Sequence, residues 1–468
     1  MRANPSAHSQ ILPDHNRSLL SRTLLEWRQL GSLGAPILIA QLAQMANAVI
    51  DTVMAGNASA IDLAAVGIGT SLWVPILLFF VGLLGALQPT ISGQRGSGDE
   101  GKIIATAWQG LYIAIAGSAA MAIVILSLRP LLPTLQLDAA TTAVSAGYLA
   151  AFAWGIPAMV LLLALRGLTD GLGHTRVFMI VSIVGTLLNL PLNYVFIYGA
   201  ESLSIPAMGG IGCGWATSLS NWMAVLGFMA YLSFSRAYAN RSLLREWVAP
   251  NTEVIKHLLR LGLPIGFATF VEVSMFCMIA LFLAPLGATT VAGHQIVLNV
   301  TSVCFMVPLS LGMALTLRVS FLVGASDHSE ARLLARSSIL LALGIACINA
   351  PILLFGRELL ASFYTSSEEV LAIAARLFVL AAFFQIADVI QVTMINVLRG
   401  YKDTRVPMFI VLFSFWGITL PLGYTLTFTD WLIAPIGAAG FWTALIVGLL
   451  CAAILLTWRV WRFPASKV

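Results

Sequence analysis

Residues 261–286 run LGLPIGFATFVEVSMFCMIALFLAPL, nearly continuous apolar sequence with one ionisable residue, Glu272, near the middle. As a helix, a segment of this length crosses a bilayer core of about 30 Å. An acid at that depth costs roughly 2.5–3.5 kcal/mol on insertion scales, so it is retained for function or for a partner. Asp51 and Asp388 interrupt apolar runs in the same way, and no Lys or Arg is expected at comparable depth. Three acids without fixed basic partners point to a mobile one: a proton, a metal cation or a cationic substrate.

The other runs place the chain in the membrane. Of its 468 residues, 59% are hydrophobic and 10% charged, against about 25% charged in soluble domains. Residues 1–29 read as a polar cytoplasmic tail and lack the apolar core of a signal peptide. The net charge of +5 sits in loops and reflects sidedness, so nucleic acid is not an expected partner. Cys213, Cys277, Cys304, Cys347 and Cys451 lie in apolar runs without CxxC spacing and read as small core residues.

Twelve spans can be drawn, at about 33–54, 64–88, 103–128, 142–165, 177–198, 210–234, 258–286, 294–323, 333–355, 370–398, 406–428 and 435–461. With the N-terminus in the cytoplasm, only Arg129, Arg357 and Arg376 of the 25 Lys and Arg fall outside. Both termini are therefore expected in the cytoplasm. The connection 235–257, with Arg236, Arg241, Arg245 and Lys256, reads as a cytoplasmic linker between a six-helix bundle at 30–234 and another at 258–461; residues 462–468 form a tail.

The halves repeat. Leu33-Gly34-Ala35-Pro36-Ile37 matches Leu261-Gly262-Leu263-Pro264-Ile265, 228 residues on. Leu165-Arg166-Gly167 matches Leu398-Arg399-Gly400, and Leu190-Pro191-Leu192-Asn193-Tyr194 matches Leu420-Pro421-Leu422-Gly423-Tyr424. Trp215 and Trp442 close similar Gly-rich stretches. Six spans per unit put both halves the same way round, about a pseudo-two-fold axis along the membrane normal. Such repeats are typical of transporters, with the site near the midplane between them.

Polar side chains inside the spans mark candidate sites. Gln41, Gln44, Asn47 and Asp51 follow at helical spacing on one face. That face reads as a cavity lining or as a helix–helix hydrogen-bond seam, with Asp51 favouring function because an acid costs more than an amide. Asn189 and Asn193 flank Pro191, which frees a carbonyl in the preceding turn. They can ligate a cation or simply satisfy a kink, the second reading leading for Asn193. Glu272 lies among Phe267, Phe270, Met275, Phe276 and Met278. Poor solvation suits it to bind a proton near neutral pH and exchange it for a cation, and Met-rich aromatic walls accept varied ligands. Each Phe or Met taken singly reads as packing. His294 lies near the outer end of its span and reads as interfacial or site-lining. Gln295, Asn299 and Ser302 share a face, and Arg318 can snorkel to the inner surface. Gln385, Asp388 and Gln391 recur at spacings of three.

HExxH, GxSxG and Walker A sequences are absent, so the chain reads as a non-enzyme without a cofactor, driven by an ion gradient or by downhill flow. The stretches Ile50-Asp51-Thr52-Val53-Met54-Ala55-Gly56, Phe270-Val271-Glu272-Val273, Ala292-Gly293-His294-Gln295-Ile296, Pro308-Leu309-Ser310-Leu311-Gly312 and Gln385-Ile386-Ala387-Asp388, with the two Leu-Arg-Gly repeats, resemble the multidrug and toxic compound extrusion (MATE) transporters and their bacterial NorM-like branch. The resemblance covers about residues 30–460. It implies an all-α membrane protein of two pseudo-symmetric six-helix bundles around a V-shaped central cavity. It implies sodium- or proton-coupled export of organic, often cationic and aromatic compounds across the bacterial inner membrane. It implies one cation site at Glu272 and Asp388, a candidate for sodium, and another at Asp51 with Asn189. Two bundles in one chain are expected to work as a monomer. The alternatives are a lipid-precursor flippase, disfavoured because anionic headgroups call for basic rather than acidic spans, and a channel, disfavoured by the duplicated single chain.

Overall fold

The computed structural model describes residues 18–135, 137–235 and 247–463. Arg236, Arg241 and Arg245 of the expected linker lie outside the described residues, as do residues 1–17 and 464–468. The first half comprises α1 (Leu19–Ala58), α2 (Ala60–Leu84), α3 (Leu87–Gly96), α4 (Glu100–Leu128), α5 (Ala139–Ala153), α6 (Ile156–Gly171), α7 (Thr175–Tyr198) and α8 (Gly210–Phe234). The second comprises α9 (Thr252–Leu283), α10 (Ala288–Gly324), α11 (His328–Phe355), α12 (Arg357–Ser362), α13 (Glu368–Gly400), α14 (Arg405–Leu412), α15 (Leu420–Phe428) and α16 (Ala438–Arg462). A π-helical segment, Phe413–Thr419, joins α14 to α15. Side-chain caps set several starts. Ser59 Oγ accepts from Asp62 N at 3.0 Å, and Asn251 Oδ1 from Glu253 N at 3.0 Å.

Each of the twelve expected spans coincides with helix. Ten helical stretches among the described residues are long and apolar enough to cross a membrane. The fourth span is instead the pair α5 and α6, bent by 44°. Pro157 in the first turn of α6 supplies no backbone N–H, and Ser218 Oγ donates to Ala151 O at 2.7 Å. The sixth span, α8, lies where expected but its Gly- and Ser-rich sequence keeps it outside that apolar set. The expected tail 1–29 is helical from Leu19 onward, and α9 begins inside the expected linker.

The buried apolar residues form two main clusters. One runs from Ala40 to Leu258; the other holds Leu30 and then runs from Ala268 to Val460. The halves therefore exchange their leading ends. The start of α1 packs on the second half and the start of α9 on the first. Trp27 Nε1 donates to Ser337 Oγ at 3.4 Å, and Tyr112 OH to Val248 O at 2.8 Å. Gly34 lies against Ala314, and a Cβ on Gly82 would stand 2.6 Å from Gly266 Cα. Ser92 Oγ donates to Leu317 O at 2.7 Å.

Two ion pairs reinforce that junction. Arg318 Nε and Nη2 donate to Glu26 Oε2 and Oε1 at 2.7 and 2.6 Å, with both residues buried. Arg22 pairs with buried Glu330. Arg318 thus does not snorkel, because a carboxylate from the other half meets it inside the protein.

The repeat is visible in the backbone. Left-handed residues precede α8 and α16 at Gly209 (φ +56°) and Gly437 (φ +61°), 228 residues apart. Gly98 and Ser326 (φ +75° and +60°) form another pair at the same offset.

Candidate functional site

In the first half, Asp51 projects from α1 toward α7 and α8. Asn193 Nδ2 donates to Asp51 Oδ1 at 2.6 Å and to Asn189 Oδ1 at 2.7 Å. Thr217 Oγ1 donates to Asp51 Oδ2 at 3.1 Å, and the Cys213 thiol, one turn earlier on α8, also reaches the carboxylate. Asn193 is therefore a direct partner of the acid rather than a filler of the Pro191 kink. Asn189 and Asn193 are fully buried, and Asn193 Oδ1 has no hydrogen-bond partner among the described residues. An orphaned amide oxygen beside the half-buried Asp51 is unusual and marks a site with unused ligand capacity.

The polar stripe leading to Asp51 divides. Gln41 Oε1 accepts from Arg166 Nη1 at 3.2 Å. Gln44 is exposed, and Asn47 is half-buried with Oδ1 unpartnered. Arg166 is buried and its Nε donates to Asp170 Oδ2 at 3.1 Å, while its guanidinium lies 4.5 Å from the Phe178 ring centre. Arg166, just beyond the expected fourth span, is thus inside the protein and neutralised by an acid one turn away.

In the second half, Glu272 on α9 is half-buried and Asp388 on α13 is buried. They are near enough to repel each other. Among the described residues, no hydrogen-bond donor reaches either carboxylate, in contrast to Asp51. Arg399, three turns beyond Asp388, lies within electrostatic reach of Glu272, so that acid does have a fixed basic neighbour. Phe276, one turn from Glu272, meets Phe384 and Phe415 edge-on at 6.3 and 6.4 Å. Met275 is core, whereas Phe267 and Phe270 are exposed, at 42% and 38%.

Gln385 and Gln391 are buried with both amide atoms unpartnered among the described residues. His294 is fully buried rather than interfacial. Gln295 and Asn299 are exposed, with Asn299 Nδ2 donating to Gln295 O at 2.9 Å. Among the described residues no group of three or more His, Cys, Asp and Glu is placed to hold a metal. A cation at Glu272 and Asp388 would need amide, carbonyl or water ligands as well.

Thr217 and Cys213 were not anticipated. Cys213 read as a core residue, and the Gly-rich start of α8 concealed that the two share one face, four residues apart. The resulting arrangement is one acid held by hydrogen-bond donors in the first half and two acids without such donors in the second, one of them facing Arg399 at longer range.

The MatE family model matches residues 36–195 and again 264–425, so its two copies begin at the repeated prolines Pro36 and Pro264. The chain is 42% identical over 441 residues to a protein of Shewanella oneidensis described as probable multidrug resistance protein NorM, covering 94% of this chain and 96% of that one. It is 40% identical over 442 residues to multidrug resistance protein MdtK of Yersinia enterocolitica, with the same coverages. The crystal structure of the eukaryotic MATE transporter AtDTX14 shares the fold, with a TM-score of 0.86, 18% identity, and 95% and 98% of the two chains covered. A duplicated helical membrane fold, two matches to one family model and extensive identity to its members agree: the chain belongs to the MatE family of membrane transporters and is a secondary transporter, not an enzyme.

Proposed function

We propose that this protein is a cation-coupled multidrug exporter, an antiporter moving organic, often cationic aromatic compounds outward across the bacterial inner membrane. The carrying observation is the pair Glu272 and Asp388: two carboxylates within one bundle, Glu272 within electrostatic reach of Asp388, and neither met by a hydrogen-bond donor among the described residues. Two acids against one fixed cation, Arg399, leave an excess negative charge in a poorly solvated interior, which is strongly disfavoured, so the pair calls for a mobile positive charge. Sodium or a proton meets that need, and bound cation disfavours the drug-bound state. The coupling is reciprocal, so drug weakens cation binding by the same factor. Asp51 with Asn189 and Asn193 is a second coupling site in the first half. The names of the NorM and MdtK relatives support drugs as substrates. The acidic interior fits cationic substrates better than anionic lipid precursors. Both termini lie in the cytoplasm and the chain works as a monomer.

The test is ethidium transport in inverted vesicles under a sodium gradient and a pH gradient imposed separately. Wild type accumulates ethidium under at least one gradient, and Glu272→Gln with Asp388→Asn abolishes the gradient-driven part. Normal accumulation by that double variant would remove the second half from the coupling mechanism. Failure of wild type under both gradients would refute drug–cation antiport.

A further inference from the structure

The second half contains a buried pair that the first half lacks. Trp442 Nε1 donates to His294 Nδ1 at 3.2 Å, with ring centres 5.9 Å apart, and both side chains are fully buried. At the offset of 228 the equivalent of His294 in the first half is Val66 and that of Trp442 is Gly214, so neither member of the pair is repeated.

The pair fixes a protonation state. An indole N–H is a donor only, and a neutral imidazole has one N–H and one lone-pair nitrogen. Since Nδ1 accepts, the ring is neutral and its proton resides on Nε2. That Nε2 is enclosed and has no hydrogen-bond partner among the described residues. Trp442 also meets Phe384 edge-on at 5.6 Å, and Phe384 lies one turn before Asp388 and directly before Gln385. Phe384 in turn touches Phe276, one turn from Glu272. An aromatic chain thus ties the His294 lock to the helix faces that bear both acids.

We propose that Trp442 is a positioning residue for transport: it holds His294 as a neutral Nε2–H donor and so keeps the imidazole from competing with Glu272 and Asp388 for the coupling cation. A locked Nε2–H has no lone pair for a metal ion. Nδ1 cannot take a proton while it accepts from the indole. The acids are left as the cation acceptors of this half. Once the lock is removed, the imidazole becomes a third acceptor and cation dependence changes, while the maximal rate is largely kept. The competition part rests on the coupling role assigned to the two acids; the tautomer part does not.

The first measurement is a long-range 1H–15N correlation spectrum of full-length protein in nanodiscs with 15N-labelled histidine. The chain has six His, and His294→Gln identifies the signals of interest. Wild type shows a neutral ring protonated at Nε2, and Trp442→Phe, which keeps a ring but no donor, loses that single tautomer. A wild-type ring that is protonated at Nδ1 or doubly protonated overturns the proposal, as does a variant with an unchanged tautomer. Trp442→Leu serves if the Phe variant is not monodisperse.

The second measurement is the cation dependence of ethidium transport under whichever gradient drives it. Trp442→Phe shifts the half-maximal cation concentration by about two- to tenfold, the size of one net hydrogen bond. In a His294→Gln background the same substitution gives less than about a twofold further shift, because the effect acts through the imidazole. Equal shifts in both backgrounds would reduce Trp442 to a packing residue. If wild type moves no ethidium, the transport reading fails while the tautomer assignment is still decided by the spectrum.

Discussion

Asn193 bridges Asp51 and Asn189 with a single amide nitrogen, at 2.6 Å to one and 2.7 Å to the other. The acid of α1 is thereby fixed to α7 through a side chain that stands one turn beyond Asn189 and just past Pro191. Asn193→Ala removes a hydrogen bond to a charged group, worth about 1.5–3 kcal/mol. If the first-half site contributes to coupling, gradient-driven ethidium export falls by about ten- to a hundredfold, with little change in the amount of folded protein. An unchanged rate would mean that the cluster only pins α1 to its neighbours.

The junction between the halves depends on Glu26 and Arg318, buried and joined by two hydrogen bonds. Removing one partner of such a pair costs about 3–5 kcal/mol, whereas replacing both by apolar groups is far milder. Glu26→Gln should therefore lower the apparent melting temperature in detergent substantially, and Glu26→Leu with Arg318→Met should recover most of the loss. A double variant as unstable as the single one would show that Arg318 is held chiefly by other contacts, such as Phe321, 5.2 Å from its guanidinium.

Gly82 and Gly266 set how closely α2 and α9 approach. The three atoms nearest a Cβ on Gly82 are all backbone: Gly266 Cα at 2.6 Å, Gly266 N at 2.7 Å and the Ile265 carbonyl carbon at 2.9 Å. No side chain can swing aside, so Gly82→Ala must shift a helix. The expected cost is about 1–3 kcal/mol, seen as a lower melting temperature. Gly67→Ala, where the added methyl meets nothing within 4 Å, is the matched control and stays near wild type.

The sequence made the spans and the duplication legible because both are written locally, as apolar runs and as short motifs recurring in the same order in both halves. Partners across helices were not legible. Glu26 falls among polar residues before the first apolar run, so it read as tail, although its partner Arg318 lies in α10. Thr217 and Cys213 meet Asp51 only once α8 has packed beside α7. The bend between α5 and α6 has a visible cause in Gly155 and Pro157, but that either mattered emerges only where Ser218 packs into the gap: a Cβ on Gly155 would lie 2.6 Å from Ser218 Oγ.

The two halves repeat in fold and differ in where their acids stand. At the offset of 228, Glu272 corresponds to Gln44 and Asp51 to Ile279, so Asp51 sits seven residues further along its helix than the equivalent of Glu272, about 10 Å. Aligned on the two Leu-Arg-Gly motifs, Asp388 corresponds to Gly155, the residue at which the first half breaks between α5 and α6. In the second half α13 runs unbroken through that position and carries the acid inward. A two-acid site can therefore form in the second half and has no counterpart in the first. Moving the acid across the repeat tests this. Glu272→Gln loses gradient-driven ethidium export, and adding Gln44→Glu does not restore it, because the exposed position 44 has no acid opposite. The readout is accumulation in inverted vesicles at matched expression. Recovery in the double variant would mean that an acid at this level of either leading helix is enough, and that the pairing with Asp388 is dispensable.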